Sequence, residues 1–195
     1  TPTQTWVNLP GLTYHVTDDL YVDAGVTLTI DPGVVVKFKY QYRRLIVDGV
    51  LNAIGGSGQP IVFTSERADN LAHGGDSNGD GTSTTAKKGD WGYVKLNGNG
   101  STLRYCEFWY GGNSTTPYPY PDYSMVWITG NIATIQNCVF KDSSGYGLYY
   151  SGSSSPATTP QIVNNVFERC DTGLYLEMCA PVLQGNLMQS NRWAL

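Results

Sequence analysis

Apolar and polar residues alternate along this chain in short runs. Near the start, Val22, Leu28, Ile30, Val34, Val36 and Phe38 are interleaved with polar neighbours, and Asp23-Ala24-Gly25 and Asp31-Pro32-Gly33 break the runs. Leu45 and Val47, Leu51 and Ala53, then Ile61 and Phe63 repeat the arrangement around a GGSGQP corner. A period of two, punctuated by Gly, Pro, Asn and Asp, predicts short strands joined by turns. No stretch holds a period of about 3.6 for the ten or more residues that a helical repeat requires.

The strands recur in copies. TIQNCVFKDSSGYGLYY (134–150) and PQIVNNVFERCDTGLYLE (160–177) align so that Ile135 meets Ile162, Asn137 meets Asn164, Phe140 meets Phe167 and Leu148 meets Leu174. A shorter copy, PVLQGNLMQSNRWAL (181–195), brings Asn186 near Asn165 and Trp193 near Leu174. Similarity at about twenty to thirty residues marks a stacked solenoid. With three brief strands per copy, each strand must pair with its equivalent in the next. The expected fold is an all-β parallel β-helix of about six to seven coils, with Asn137, Asn164 and Asn186 stacked at one corner as a structural amide column.

Composition fits one domain over residues 1–195. Hydrophobic residues make up 41% and charged residues only 14%, with 23 Gly for turns, so a sizeable core is affordable. The net charge of −4 argues against a nucleic-acid surface, and no apolar run approaches the roughly 18 residues of a membrane span. The sequence opens on Thr1-Pro2 with neither Met nor a signal peptide, so it reads as a processed product or a piece of a longer secreted chain. Cys106, Cys138, Cys170 and Cys179 lack the spacing of a zinc site. Cys106 and Cys138 share a phase and should stack at roughly 4.8 Å, either as a disulfide or as two reduced thiols in one interior column.

AGVTLTIDPGVVVKF (24–38), QPIVFTS (59–65), DSNGDGTST (76–84), GDWG (89–92) and YGG (110–112), followed by the NCVF and NNVF repeats, carry a family likeness. With them the chain resembles secreted bacterial right-handed β-helix repeat proteins of the pectate-lyase-like superfamily. The resemblance implies a right-handed, single-stranded β-helix at an extracellular or cell-surface location. It does not imply one activity, because this fold hosts lyases, hydrolases, carbohydrate-binding modules and adhesins.

Two insertions, 65–88 and 111–124, leave the third strand of one coil and return to the first strand of the next, so both should project beside one sheet. Long connections of this kind are usually functional or anchored. Asp76-Ser77-Asn78-Gly79-Asp80-Gly81 matches the first half of a calcium loop, in which side-chain oxygens at alternate positions converge on a hard cation. The twelfth position is Lys87 rather than an acid, so Asp90 or a backbone carbonyl would have to complete the shell around Asp76, Asn78 and Asp80. The ion-free alternative is an Asn/Asp/Gly turn.

Strand phase supplies a second candidate. If Leu148 and Tyr150 point inward, Tyr149 points outward, and Tyr175, Trp127 and Lys95 fall in the same column. A flat aromatic strip rising roughly 4.8 Å per coil, with Lys95 at one end, suits the apolar faces of a polysaccharide. In the second insertion Tyr118, Tyr120 and Tyr123, spaced by Pro, either extend that surface or fold back over it.

Catalytic chemistry is harder to find. Of the outward first-sheet positions Lys95, Asn97, Trp127, Thr129, Tyr149, Ser151, Tyr175 and Glu177, only Lys95 and Glu177 titrate. They stand three coils, ~14 Å, apart, against roughly 5–9.5 Å for glycosidase carboxylates. The expectation is therefore a non-catalytic extracellular structural or adhesin-like module, binding polysaccharide or another cell-surface partner. The alternatives are a filament or surface-layer subunit stacking end to end through an uncapped last coil, and a fragment of a polysaccharide lyase or hydrolase.

Overall fold

The computed structural model describes residues 3–113, 120–129, 133–152 and 160–195. Their strands form three all-parallel sheets, two of seven strands and one of six. The first sheet runs through Leu20–Val22, Leu45–Val47, Val94–Leu96, Ser124–Ile128, Tyr146–Ser151 and Thr172–Glu177. The second sheet runs from Thr3–Trp6 to Val182–Gln184 and the third from Tyr14–Val16 to Leu187–Gln189, and each first-sheet strand leads to the second sheet and then to the third. This is the parallel β-helix expected from the repeats, and Leu148 pairs with Leu174 as the copies require.

Like stacks on like because every coil repeats the phase of the one before. Phe63, Phe108, Phe140 and Phe167 form one interior column, with ring centroids 4.7, 5.1 and 4.8 Å apart and planes within 7° of parallel. A strand spacing near 4.8 Å leaves room for little else between such rings. Ile135, Ile162, Leu148 and Leu174 fill the neighbouring columns and are buried. Cys106 and Cys138 are buried, free thiols bonded to the carbonyls of Ala53 and Leu103, so of the two alternatives for this column the reduced pair is the one present.

The corners turn on single left-handed residues. Between the second and third sheets these are Tyr105, Asn137, Asn164 and Gly185, with φ of 49°, 55°, 55° and 64°. A second set, Tyr110, Asp142, Arg169 and Ser190, makes the corner from third sheet to first. The Asn column is accordingly one position off the expectation: Asn137 and Asn164 make the turn, and it is Asn165 and Asn186 that stack. Asn165 Nδ2 donates to Asn186 Oδ1 at 3.0 Å, while its own Oδ1 accepts from the Cys138 backbone N–H at 2.9 Å. Asn tolerates the left-handed region, and its neighbour's amide then pairs with backbone along the axis.

The insertion 65–88 begins at the end of a third-sheet strand and folds over that sheet. Lys37, on the sheet's outer side, is buried and donates from Nζ to the carbonyls of Ala68 and Gly75. His73 packs its ring 4.9 Å from that of Trp109. The described ends of the second insertion lie toward the first sheet: Asn113 Nδ2 donates to Gly89 O, and a Cβ at Gly145 would meet Tyr123 O at 2.1 Å. The two insertions thus leave the same corner, but their described residues do not share a sheet: Lys37 fastens the first to the third sheet.

Candidate functional site

The outer face of the first sheet carries the predicted column in register. Tyr21 pairs with Ile46, Ile46 with Lys95, Lys95 with Trp127, Trp127 with Tyr149 and Tyr149 with Tyr175. The ring orientation, however, corrects the expectation of a flat strip. Tyr149 and Tyr175 stack on each other, with centroids 5.0 Å apart and planes 19° from parallel. Lys95 Nζ stands 3.7 Å from the centroid of the Trp127 ring. Rings one coil apart gain most by covering each other's faces, so the column turns its edges outward.

Accessibility differs along the column. Tyr175 is 39% exposed, whereas Tyr149 is only 5% exposed, set among Tyr146, Tyr175 and Glu177. Tyr149 Oη donates to Glu177 Oε2 at 2.6 Å. Burial, followed by that bond to the carboxylate, holds the phenol well above the usual range. The Trp127 indole N–H is buried and has no acceptor among the described residues. Of the second insertion's tyrosines, Tyr120 is 55% exposed, Tyr123 is half-buried in the short turn Pro121–Tyr123, and Tyr118 lies outside the described residues.

A second row runs beside the first, two residues further along each strand: Asp23, Asp48, Asn97, Thr129, Ser151 and Glu177. Thr129 Oγ1 donates to Asn97 Oδ1 at 2.8 Å, and Asn97 Nδ2 donates to Asp48 Oδ1 at 2.7 Å. Asp48 and Thr129 are exposed. The strand phase locates this row, but its hydrogen-bonded chain and the part played by Asp48 emerge only from the fold.

The acidic loop closes largely on itself. Asp76 accepts from the backbone N–H groups of Gly79 and Gly81 at 2.8 and 2.9 Å. Asn78 Nδ2 donates to Asp80 Oδ2, which also accepts from Thr84 Oγ1. Asp90 does not join them. It is buried, accepts from Ser65 Oγ at 2.8 Å and from the Lys87 N–H at 3.1 Å, and faces Arg67 at 3.6 Å. The pKa of the Asp69 carboxyl is raised by burial and then by the charges of Asp76 and Asp80. Among the described residues no group of three or more His, Cys, Asp or Glu side chains converges as metal ligands would.

With the coils, corners and outer rows in view, comparison with known families is informative: the profile described as a right handed beta helix region matches residues 92–192, just over half of the chain. The chain belongs to this family. No curated protein and no solved structure matches it. Membership accounts for the right-handed β-helix and leaves the chemistry to individual residues. In this β-helix Lys95 and Glu177 stand three pairing steps apart, and Glu177 is engaged by Tyr149 rather than by a second acid. No helix among the described residues is long and apolar enough to cross a membrane.

Proposed function

We propose that the protein is a non-catalytic, extracellular structural or adhesin-like module that binds polysaccharide along the outer face of its first sheet. One observation carries this reading: an aromatic row and a polar row run side by side, in register, along the axis of a rigid solenoid. A repeating surface of one step per coil suits a repeating polymer, with ring edges and Tyr hydroxyls beside hydrogen-bonding groups. The test is a glycan panel probed with the purified chain and with Tyr175→Ala, chosen because Tyr175 is exposed enough for the fold to survive. Loss of one aromatic contact should weaken binding roughly tenfold without changing the unfolding midpoint. A panel on which the unaltered chain binds nothing, or on which the variant binds equally, overturns the reading.

We also infer a structural calcium ion at Asp76, Asn78 and Asp80, its shell completed by backbone carbonyls rather than by Asp90. Its support is the loop's curvature, already set by the Asp76 bonds to Gly79 and Gly81, and the two carboxylates, Asp76 and Asp80, that the loop holds four residues apart. A divalent cation would balance their charge.

A further inference from the structure

Resting on the reading of the first sheet as a glycan-binding face, we propose that its ligand is a neutral, hydroxyl-rich polysaccharide held along Asp48, Asn97 and Thr129, and that uronate-rich chains are excluded. The polar row carries three carboxylates, Asp23, Asp48 and Glu177, and no cation. The only cation in the adjoining row is Lys95, and its ammonium is turned onto the Trp127 ring. Burial lowers its pKa, and the charges of Asp48 and Asp122 oppose that lowering, so the Lys95 field is already shared with acids of this chain. A uronate laid on this face would bring its own carboxylate against Asp48 or Glu177 with only Lys95, turned onto Trp127, to offset them, and like charges in contact are costly.

A sugar hydroxyl meets the opposite situation. Asp48 is exposed and retains acceptor capacity beyond its bond from Asn97, and a carboxylate accepting from O–H makes one of the stronger hydrogen bonds. The chain from Thr129 through Asn97 to Asp48 fixes which groups donate and which accept. Among the described residues Asn97 keeps a second amide N–H and Thr129 keeps acceptor lone pairs. These groups therefore offer both senses of hydrogen bond at successive coils, which is what a chain of hydroxyls, each both donor and acceptor, requires. The row is preorganised, so binding orders few side chains.

Affinity electrophoresis of the purified chain tests this, in gels containing glucomannan, xyloglucan or starch, or else polygalacturonate or alginate, all with a chelator present to prevent divalent bridging. The expected result is retardation in at least one neutral gel, little changed between low and high salt, and none in the uronate gels. Thr129→Val should weaken that retardation about fivefold to tenfold, and Thr102→Val, on the second sheet, should leave it unchanged. Asp48→Lys should introduce retardation by polygalacturonate that disappears at high salt. Retardation of the unaltered chain by the uronate gels rather than the neutral ones overturns the neutral-ligand proposal while leaving the glycan-binding face standing. No retardation in any gel overturns both.

Discussion

Lys37 sits where a lysine is least at ease, with no measurable solvent exposure on the outer side of the third sheet. Its ammonium is held by the carbonyls of Ala68 and Gly75, and burial lowers its pKa. Its neighbour His73 feels the result. Burial first, and the charge of Lys37 second, lower the His73 pKa from 6.5 to about 4. Between those values the unfolded chain binds a proton that the folded chain refuses. The contribution is therefore fully present above pH 6.5 and is lost as pH falls toward 4, by up to about 3 kcal/mol. Urea unfolding across this range should show stability falling with acid, and His73→Gln should flatten much of the slope, leaving the share of His15, whose pKa is also lowered. An equal slope in both proteins would show that the loop does not depend on a neutral imidazole.

Among the elements, the insertion 65–88 combines two kinds of anchor. Lys37 and the ring of His73 fasten its first half to the third sheet, and the Ser65–Asp90 pair joins its ends. The acidic loop between them is exposed and held by hydrogen bonds within itself. If that loop takes up calcium, the bound state is stabilised in proportion to the logarithm of the free ion. Adding calcium to chelator-treated protein should then raise the thermal midpoint by several degrees, and Asp76→Asn should abolish the rise. A midpoint indifferent to both would mean that the Asx-type hydrogen bonds alone shape the loop.

Over the whole molecule, stability is carried from coil to coil by the stacked interior. Phe140 touches ring neighbours on both sides, Phe108 and Phe167, so Phe140→Ala removes two stacking contacts and opens a cavity, at about 3–5 kcal/mol. Leu183, in the last described coil, is 44% exposed, and its truncation should cost less than about 1 kcal/mol. Denaturant midpoints of the two variants measure the contrast. Similar losses would mean that the coils do not act as nearest-neighbour units.

The sequence by itself determined whatever depends on phase. A period of two decides which side chains enter the interior, and the repeated copies decide which of them meet. The meeting of Phe140 with Phe167, the Leu148–Leu174 pairing and the order Lys95, Trp127, Tyr149, Tyr175 were all legible in the repeats. The Asn column shows the margin of that method: a one-residue shift separates the residues that turn the corner from those that stack behind it. Only the tertiary structure decided what lies over the outward residues. The folding of Tyr149 beneath Glu177 and Tyr175, the burial of Lys37 under an insertion, and the commitment of Asp90 to Ser65 and Arg67 all involve partners distant in sequence. Alternation along a strand states which side of the sheet a residue faces, but not whether another part of the chain will return to cover it.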